Sequence, residues 1–316
     1  MTLLAILLAL SSAQPSSQAS DARATLQSPS PIRVATICPE GLVVAAGDDR
    51  NLYVWMMMNG GKLLGSISAS QPVSIVSCSP DGRWIAAGME SGVVMLIDAR
   101  TRKIVRQLAV TKRLLNTMAF APDSSLLAVC PDDGPAQIWN VATGTRIATL
   151  QPTVGGSIGV AFSPDSTQLA TADEDTHVRL YDRRGQLVRA LDFGLLAPFG
   201  VAFAADGSQV VAAGVDRMMT VFEIASGRVV KRSERQPDLI WQVTRLPGDQ
   251  QFAVLQMDEF TLLPTTLTAW DAASGEFRSR QQAADVVGTS LIGGGTAMVV
   301  ISADKDRKTL GVRPFP

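Results

Sequence analysis

A turn signature built from Pro, Asp and Gly recurs along the chain about every 42 residues. Its second position falls at residues 39, 80, 122, 164, 205 and 247, so successive copies lie 41 or 42 residues apart. A degenerate seventh copy, Gly293-Gly294-Gly295, follows in the same register. Pro restricts φ, Asp bonds to nearby backbone and Gly tolerates unusual φ, so these positions mark tight turns. A period of this length indicates a repeat architecture.

A second mark keeps step with the turns. An apolar residue followed by a residue that is polar in all copies but the first comes about 17 residues after each turn, or 23 after the turn of blade six, at Trp55-Met56, Ile97-Asp98, Trp139-Asn140, Tyr181-Asp182, Phe222-Glu223, Trp270-Asp271 and Val312-Arg313. Between the marks the chain alternates or runs apolar in strand-sized pieces. Each unit therefore reads as four short strands, and seven such units predict an all-β fold, a seven-bladed β-propeller of four-stranded antiparallel blades.

At these residues the chain resembles the WD-repeat β-propellers, with degenerate repeats, and in part the bacterial YVTN-type propellers. Blade four matches best, at residues 160–165 (VAFSPD), 169–172 (LATA) and 178–182 (VRLYD). The resemblance covers residues 31–316, but the family's Gly-His dipeptide occurs nowhere and its Trp-Asp pair only at Trp270-Asp271. The resemblance implies a protein-interaction scaffold rather than an enzyme, with another protein or peptide as partner.

The two ends of the repeat array predict how the propeller closes. The seventh unit stops after its third strand, whereas residues 22–27 (ARATLQ) resemble the outer strand of blade three at residues 146–151 (RIATLQ). An N-terminal strand that completes the last blade removes an open sheet edge. We therefore predict one propeller domain over residues 22–316.

Residues 1–21 form a separate segment. An apolar run at residues 3–10 is too short to span a bilayer and precedes small residues suited to cleavage after Ala13 or Ala19. The pattern predicts a signal peptide, and hence a periplasmic or secreted protein. The alternative is a disordered leader on a cytoplasmic protein, since the n-region has no Lys or Arg.

Charge and composition exclude several classes of function. The formal net charge is −1 and the chain has a single His, which argues against binding driven by bulk charge and against multi-histidine metal centres. Basic stretches at residues 100–113 and 228–235 contain no aromatic residue for base stacking, so no nucleic-acid partner is predicted. No membrane span is predicted, and a monomeric ring is expected.

The predicted inner strands contain few ionisable side chains. Residues 32–38, 73–79, 115–121, 157–163, 198–204, 240–246 and 287–293 contain no Asp, Glu, His or Lys. A hydrolytic propeller needs carboxylates there to hold a metal and activate water. We therefore predict no enzyme and no cofactor. The alternative is a lactonase-like, metal-dependent hydrolase that uses the loop carboxylates Asp173 and Asp175, which otherwise form a structural or solvated turn.

An apolar patch on one loop face is the most suggestive surface feature. Six residues before each turn mark lie Arg33, Ser74, Asn116, Ile158, Phe199, Trp241 and Gly288, so large aromatics occupy only blades five and six. Leu195 lies beside them, and a longer loop in blade six adds Phe260 and Leu263. Exposed Trp and Phe are typical of binding hot spots. The alternative is that the longer loop covers these side chains.

Two smaller groups of residues complete the candidates. Arg33 and Asn116 are predicted at the mouth of the central channel, where Arg33 could attract a small anion. Cys38, Cys78 and Cys130 are odd in number and contain no CxxC, so they are interpreted as small buried hydrophobic residues.

Overall fold

In the residues that it describes, the computed structural model is all-β apart from a short turn of 3-10 helix, Pro39–Gly41, at the first turn signature and a helical residue at Gly61. It describes residues 24–314 except 48, 58–60, 133, 152, 247–249, 261–263, 283–285, 293–296 and 304–308. The predicted leader at residues 1–21, the blade-six turn signature and Gly293-Gly294-Gly295 lie outside the described residues. A membrane-crossing helix is not found in the described part of the chain.

The strands form seven four-stranded antiparallel sheets, so the predicted seven-bladed propeller is confirmed. Strand β1 is Ala24–Gln27. Blade one consists of β2 to β5, namely Ile32–Ile37, Leu42–Gly47, Asn51–Met56 and Lys62–Ser68. Blade two consists of β6 to β9, namely Val73–Cys78, Trp84–Met89, Val93–Asp98 and Lys103–Ala109. Blade three consists of β10 to β13, namely Leu115–Phe120, Leu126–Pro131, Gln137–Asn140 and Arg146–Thr149.

The remaining blades follow the same order. Blade four consists of β14 to β17, namely Ser157–Phe162, Gln168–Asp173, His177–Asp182 and Leu187–Asp192. Blade five consists of β18 to β21, namely Pro198–Phe203, Gln209–Gly214, Met219–Glu223 and Val229–Arg232. Blade six consists of β22 to β25, namely Leu239–Arg245, Gln251–Met257, Pro264–Asp271 and Phe277–Gln282. Blade seven contains β26 to β28, namely Val286–Ile292, Ala297–Ala303 and Thr309–Pro314.

Strand β1 completes blade seven, as the sequence predicts. It pairs antiparallel with β28, with Leu26 opposite Leu310. Leu26 is fully buried in a cluster that includes Ile32 and Trp55, and the Trp55 indole Nε1 donates to the carbonyl of Gln27 at 3.2 Å. The N-terminal strand is therefore held by a ladder, an apolar anchor and an indole hydrogen bond.

The burial pattern follows from the position of each strand within its blade. The second strands, such as β3 (LVVAAG) and β7 (WIAAGM), are buried along their whole length, because both of their faces are covered by packed side chains. The outer strands, such as β9, are mostly exposed. An outer strand with charged residues discourages pairing with another sheet edge.

The described chain divides into two compact units. The first, unit 1, comprises Ala128–Trp139 and Arg146–Ala284, and unit 2 comprises the described residues up to Leu127, Asn140–Thr145 and those from 286 onward. In unit 1, apolar clusters join blade four to blade five and blade five to blade six. In unit 2, one cluster joins blades one and two, and a second holds Leu26 and Leu310 against blade one.

All three cysteines are buried, as predicted, but two of them do not act as separate thiols. Cys38 and Cys78 form a disulfide between blades one and two, with their Cα atoms 5.2 Å apart. Cys130 is free and fully buried. Sequence reasoning missed this pair, although its separation of 40 residues is about one repeat.

Candidate functional site

The inner strands share one irregularity that creates the candidate site. Each of the six inner strands whose pairing is described shifts register near its start, between Ile32/Val34, Val73/Ile75, Ser157/Gly159, Pro198/Gly200, Ile240/Gln242 and Val286/Gly288. The residue inside such a β-bulge leaves the ladder and its side chain is re-aimed. In five of these strands it is the rim position predicted from sequence. In blade seven the bulge precedes Gly288, so that prediction is one residue late.

A glycine after the bulge permits neighbouring inner strands to approach closely. A Cβ placed on Gly200 would lie 2.7 Å from the backbone N of Val243, and one on Gly159 would lie 2.3 Å from the carbonyl O of Phe199. Neither distance can accommodate a side chain. The bulged residues of blades four, five and six are therefore held on closely packed strands.

Phe199 and Trp241 occupy the bulges of blades five and six and contact each other. Their ring centroids are 5.1 Å apart with the planes tilted by 59°, a favourable aromatic geometry. Both side chains are half-buried, whereas their neighbours Pro198 and Ile240 are buried. The bulge thus places one aromatic from each blade at the surface of unit 1.

Two further apolar side chains of unit 1 are exposed at the same end of these blades. Leu195, in the loop before β18, is 96% exposed, and Phe260, in the loop after β23, is 87% exposed. Leu263 lies outside the described residues. We call Leu195, Phe199, Trp241 and Phe260 the rim patch.

The described part of the blade-six loop is held at both ends and leaves Phe260 exposed. Arg217 lies in the turn between β19 and β20 and donates to the carbonyl of Pro237 at 2.6 Å and to the Glu259 carboxylate. Thr265 donates to the Asp238 carboxylate at 2.7 Å. These bonds hold the ends of the loop to the segment that precedes β22, and Phe260 faces solvent between them. Phe260 itself belongs to this loop, so whether the loop covers Phe199 and Trp241 is not decided by its exposure.

Carboxylates outnumber cations around the rim patch. The described loops of blades five and six at this end carry two arginines, Arg217 and Arg235, and five carboxylates, at Asp216, Glu234, Asp238, Asp258 and Glu259. Burial raises the pKa of Asp216, although hydrogen bonds and nearby arginines oppose the shift. The patch is therefore an apolar surface with an acidic border.

The alternative metal site, Asp173 and Asp175, is occupied by a protein cation. Nη1 of Arg179 donates to Asp173 and to Asp175 at 2.8 Å, and its Nη2 donates to Asp175 at 2.6 Å. Ser157 and Thr171 donate to the fully buried Asp173 at 2.6 and 3.0 Å. The Arg179 guanidinium thus lies where a metal ion would have to sit.

The electrostatics of this pair agree with a structural role. Burial raises the pKa of Asp173 despite its hydrogen bonds, while Arg179 lowers the pKa of Asp175. The neighbouring His177 directs Nδ1 to the backbone carbonyl of Asp175 at 2.9 Å. Among the described residues, no cluster of three or more His, Cys, Asp or Glu side chains could hold a metal. The geometry gives the hydrolase alternative no support.

Arg33 and Asn116, the predicted channel-mouth residues, both lie in unit 2 and are half-buried. Arg33 is the bulged residue of β2, and its guanidinium lies 3.7 Å from the Glu90 carboxylate, with both side chains about two-fifths exposed. An anion at Arg33 would compete with that carboxylate. Anion binding there stays a prediction.

Sequence reasoning missed the residues that act as partners of the candidates. Arg179 is six residues from Asp173, on the next strand, and only the antiparallel register of β15 and β16 brings them together. Arg217 and Glu259 are 42 residues apart, one repeat, and meet across two blades. The equal repeat spacing was the one available signal for such pairs.

Comparisons with known proteins agree with the geometry. The WD40 (G-beta repeat) family model matches residues 61–98 and 144–182. Periodic tryptophan protein 2 homolog of Schizosaccharomyces pombe is 26% identical over 66% of this chain, and small ribosomal subunit protein RACK1 of Caenorhabditis elegans is 29% identical over 40%. The matched regions cover only 22% and 39% of those proteins' lengths.

A solved structure supports the fold over nearly the whole chain. A chain of a crystal structure of the mitotic checkpoint complex superposes with a TM-score of 0.76 at 18% identity, covering 96% of this chain and 98% of that one. These similarities favour the prediction that the chain is not an enzyme, which stays a prediction. The chain thus forms a seven-bladed β-propeller in which two segments match the WD40 (G-beta repeat) family model.

Proposed function

We propose that the chain is a scaffold that binds another protein or peptide through the rim patch of blades five and six. The observation that carries the proposal is the tilted Phe199–Trp241 pair at the surface, flanked by the exposed Leu195 and Phe260. Interface hot spots are enriched in aromatic residues that are surrounded by less critical contacts. Rigid placement on closely packed strands lowers the entropic cost of binding.

The acidic border favours a partner with basic residues beside its apolar anchors. Carboxylates near an apolar site attract cationic segments and exclude acidic ones. The corresponding described loops of blades one and two carry Arg50 against Asp49 and Glu90, so charge alone does not separate the two groups of loops. The preference for blades five and six rests on their exposed apolar side chains.

The names of the similar proteins are consistent with work in assemblies. One relative is named as a small ribosomal subunit protein, and the fold match comes from a mitotic checkpoint complex. The proposal transfers only this general role. It also holds that the chain is monomeric and binds no nucleic acid, which light scattering and a DNA-binding titration will test.

The test is an affinity capture from the native host that compares wild type with the Phe199→Ser/Trp241→Ser/Phe260→Ser variant. The matched control is Leu187→Ser/Val188→Ser, which removes exposed apolar side chains from the outer strand β17. The rim variant must melt like wild type. Each captured protein is then purified, and its Kd is measured with all three chains.

We expect a partner that binds wild type and control equally and the rim variant at least about tenfold more weakly, since single hot-spot truncations cost about 2 kcal/mol or more. Binding should also weaken from about 0.05 to about 0.5 M NaCl. Equal affinity for wild type and rim variant would contradict the proposal. Salt-independent binding with loss in the rim variant would contradict only the charge preference.

A further inference from the structure

The Cys38–Cys78 pair joins two consecutive blades of unit 2. Cys38 follows the inner strand β2, and Cys78 is the last residue of the inner strand β6. Their Cα atoms are 5.2 Å apart, inside the range of about 4.4–6.8 Å that a disulfide requires. The sequence separation is 40 residues, about one repeat.

The pair is buried in apolar surroundings. Both side chains are 1% exposed and belong to the cluster that includes Val34, Val76 and Ile85. A dissolved oxidant or reductant cannot reach sulfur atoms in such a position without local opening. The bond therefore has to form while blade two is packing against blade one, or before the cluster is closed.

Disulfide formation sets a requirement on the compartment. The two thiols lose two protons and two electrons as the S–S bond forms, and a thiol–disulfide oxidoreductase in its disulfide form accepts the electrons through a mixed disulfide. Such oxidants prevail in the periplasm, the endoplasmic reticulum and outside the cell, whereas cytosolic reductants keep thiols reduced.

We infer that the protein folds in an oxidising compartment outside the cytosol, where a Cys38–Cys78 disulfide links blades one and two. The predicted signal peptide at residues 1–21 rests on separate residues and agrees with this inference. Cys130 takes no part. It is fully buried in unit 1, and burial raises the pKa of its thiol well above the usual value.

The linkage also has a structural purpose at this place in the fold. Cys38 directly follows β2, so the linked blades include the one that packs against Leu26 of the closing strand. A covalent link between strands of consecutive repeats restricts the unfolded chain and opposes separation of the two blades.

The experiment measures the thiol state of the full chain taken from its native host. Cells are quenched in acid, and the denatured protein is alkylated without reductant and again after reduction. We expect one alkylated cysteine before reduction and three after it. Tryptic digestion without reduction should release residues 34–50 joined to residues 63–83. Fractionation should recover the protein outside the cytosol.

Three free thiols in the protein from its native host would overturn the inference, as would recovery from the cytosol. A disulfide that contains Cys130 would overturn the assignment of the pair. As a matched set, wild type and Cys130→Ser should melt several degrees lower with reductant than without it, and Cys38→Ser/Cys78→Ser should melt at one temperature in both. If the double variant does not fold, the alkylation count on wild type still decides the inference.

Discussion

Blade four and blades one and two fill the same structural position in different ways. At the start of the inner strand, blade four pairs Ser157 with Asp173, whereas blade two pairs Val73 with Met89 and blade one pairs Ile32 with Gly47. Blade four keeps a hydrogen-bonded polar network at that position. Blades one and two are apolar there, and their disulfide lies at the opposite end of the inner strands.

The difference shows that the blade backbone tolerates two kinds of stabilisation. In blade four the buried Asp173 accepts bonds from Ser157, Thr171 and Arg179. Such a network is costly to break, because a lone buried charge remains. The cluster that joins blades one and two consists of apolar side chains and the two cysteines, and the covalent link acts mainly on the unfolded chain. The two regions should therefore respond to different perturbations.

The largest expected effect on stability comes from removing the closing strand β1, which belongs neither to the Asp173 network nor to the disulfide. Deletion of residues 22–27 removes β1 and its buried Leu26, so that β28 becomes an open edge. We expect a loss of at least about 5 kcal/mol, from one buried Leu and several ladder bonds, seen as a lower Tm. Leu26→Ala should give about half of that loss, while the exposed Thr25→Ala should change little. An unchanged Tm after deletion would contradict closure by β1.

Asp173→Ala should be the most damaging single substitution in blade four. The substitution removes the buried carboxylate that accepts hydrogen bonds from Arg179, Ser157 and Thr171. We expect it to lower the free energy of unfolding by about 3–5 kcal/mol. Denaturant unfolding measures the change, and the exposed neighbour in Glu174→Ala is the matched control. A loss below about 1 kcal/mol would show that the network contributes little to blade four.

Reduction should act on blades one and two and spare blade four. Closing a loop of 40 residues is expected to stabilise the fold by about 4 kcal/mol in the chain-entropy estimate. Wild type should lose about that much unfolding free energy when reductant is added. Asp173→Ala should lose the same amount on top of the cost of its substitution, because the two sites lie in different units. If the two losses of free energy are strongly non-additive, the Asp173 network and the disulfide stabilise a common element.

The smallest effect is the part of the pH dependence that Asp175 of blade four contributes. Arg179 lowers the pKa of Asp175 below its unfolded value of 3.8, so this ion pair adds stability above that pH and loses it as the pH falls through the folded-state pKa. Burial raises the pKa of Asp173, so its ionisation opposes stability as the pH rises through the folded-state pKa. Asp175→Asn should therefore flatten the fall in stability below about pH 4. A slope equal to that of wild type would contradict this assignment.

The fold was predictable because the same turn signature and strand pattern recur in successive repeats. The inner strands agree with prediction to within one residue, including Val286–Ile292 against the predicted 287–293. The apolar–polar marks coincide with the ends of the third strands in blades one to six. Blade seven was one residue off at its bulge, because its turn signature is replaced by three glycines.

The candidate site was predictable only in part. The rim positions Phe199 and Trp241 followed from counting back from the turns, since every repeat places its bulge at the same point. Their exposure did not follow, nor did that of Phe260, because it depends on how Arg217 and Thr265 hold the adjacent loops. The partners of Asp173 and of Cys38 likewise come from a neighbouring strand or blade.

The sequence by itself determined the number of blades, the order of strands and the closure by residues near the N-terminus. Turns and apolar runs are local properties, and the same pattern of both recurs in each repeat. Only the tertiary structure decided which side chains meet: Arg179 with two carboxylates, Cys38 with Cys78, and Phe199 with Trp241. The reason is physical. Those contacts join residues whose separation along the chain says nothing of their distance until consecutive strands and blades have packed.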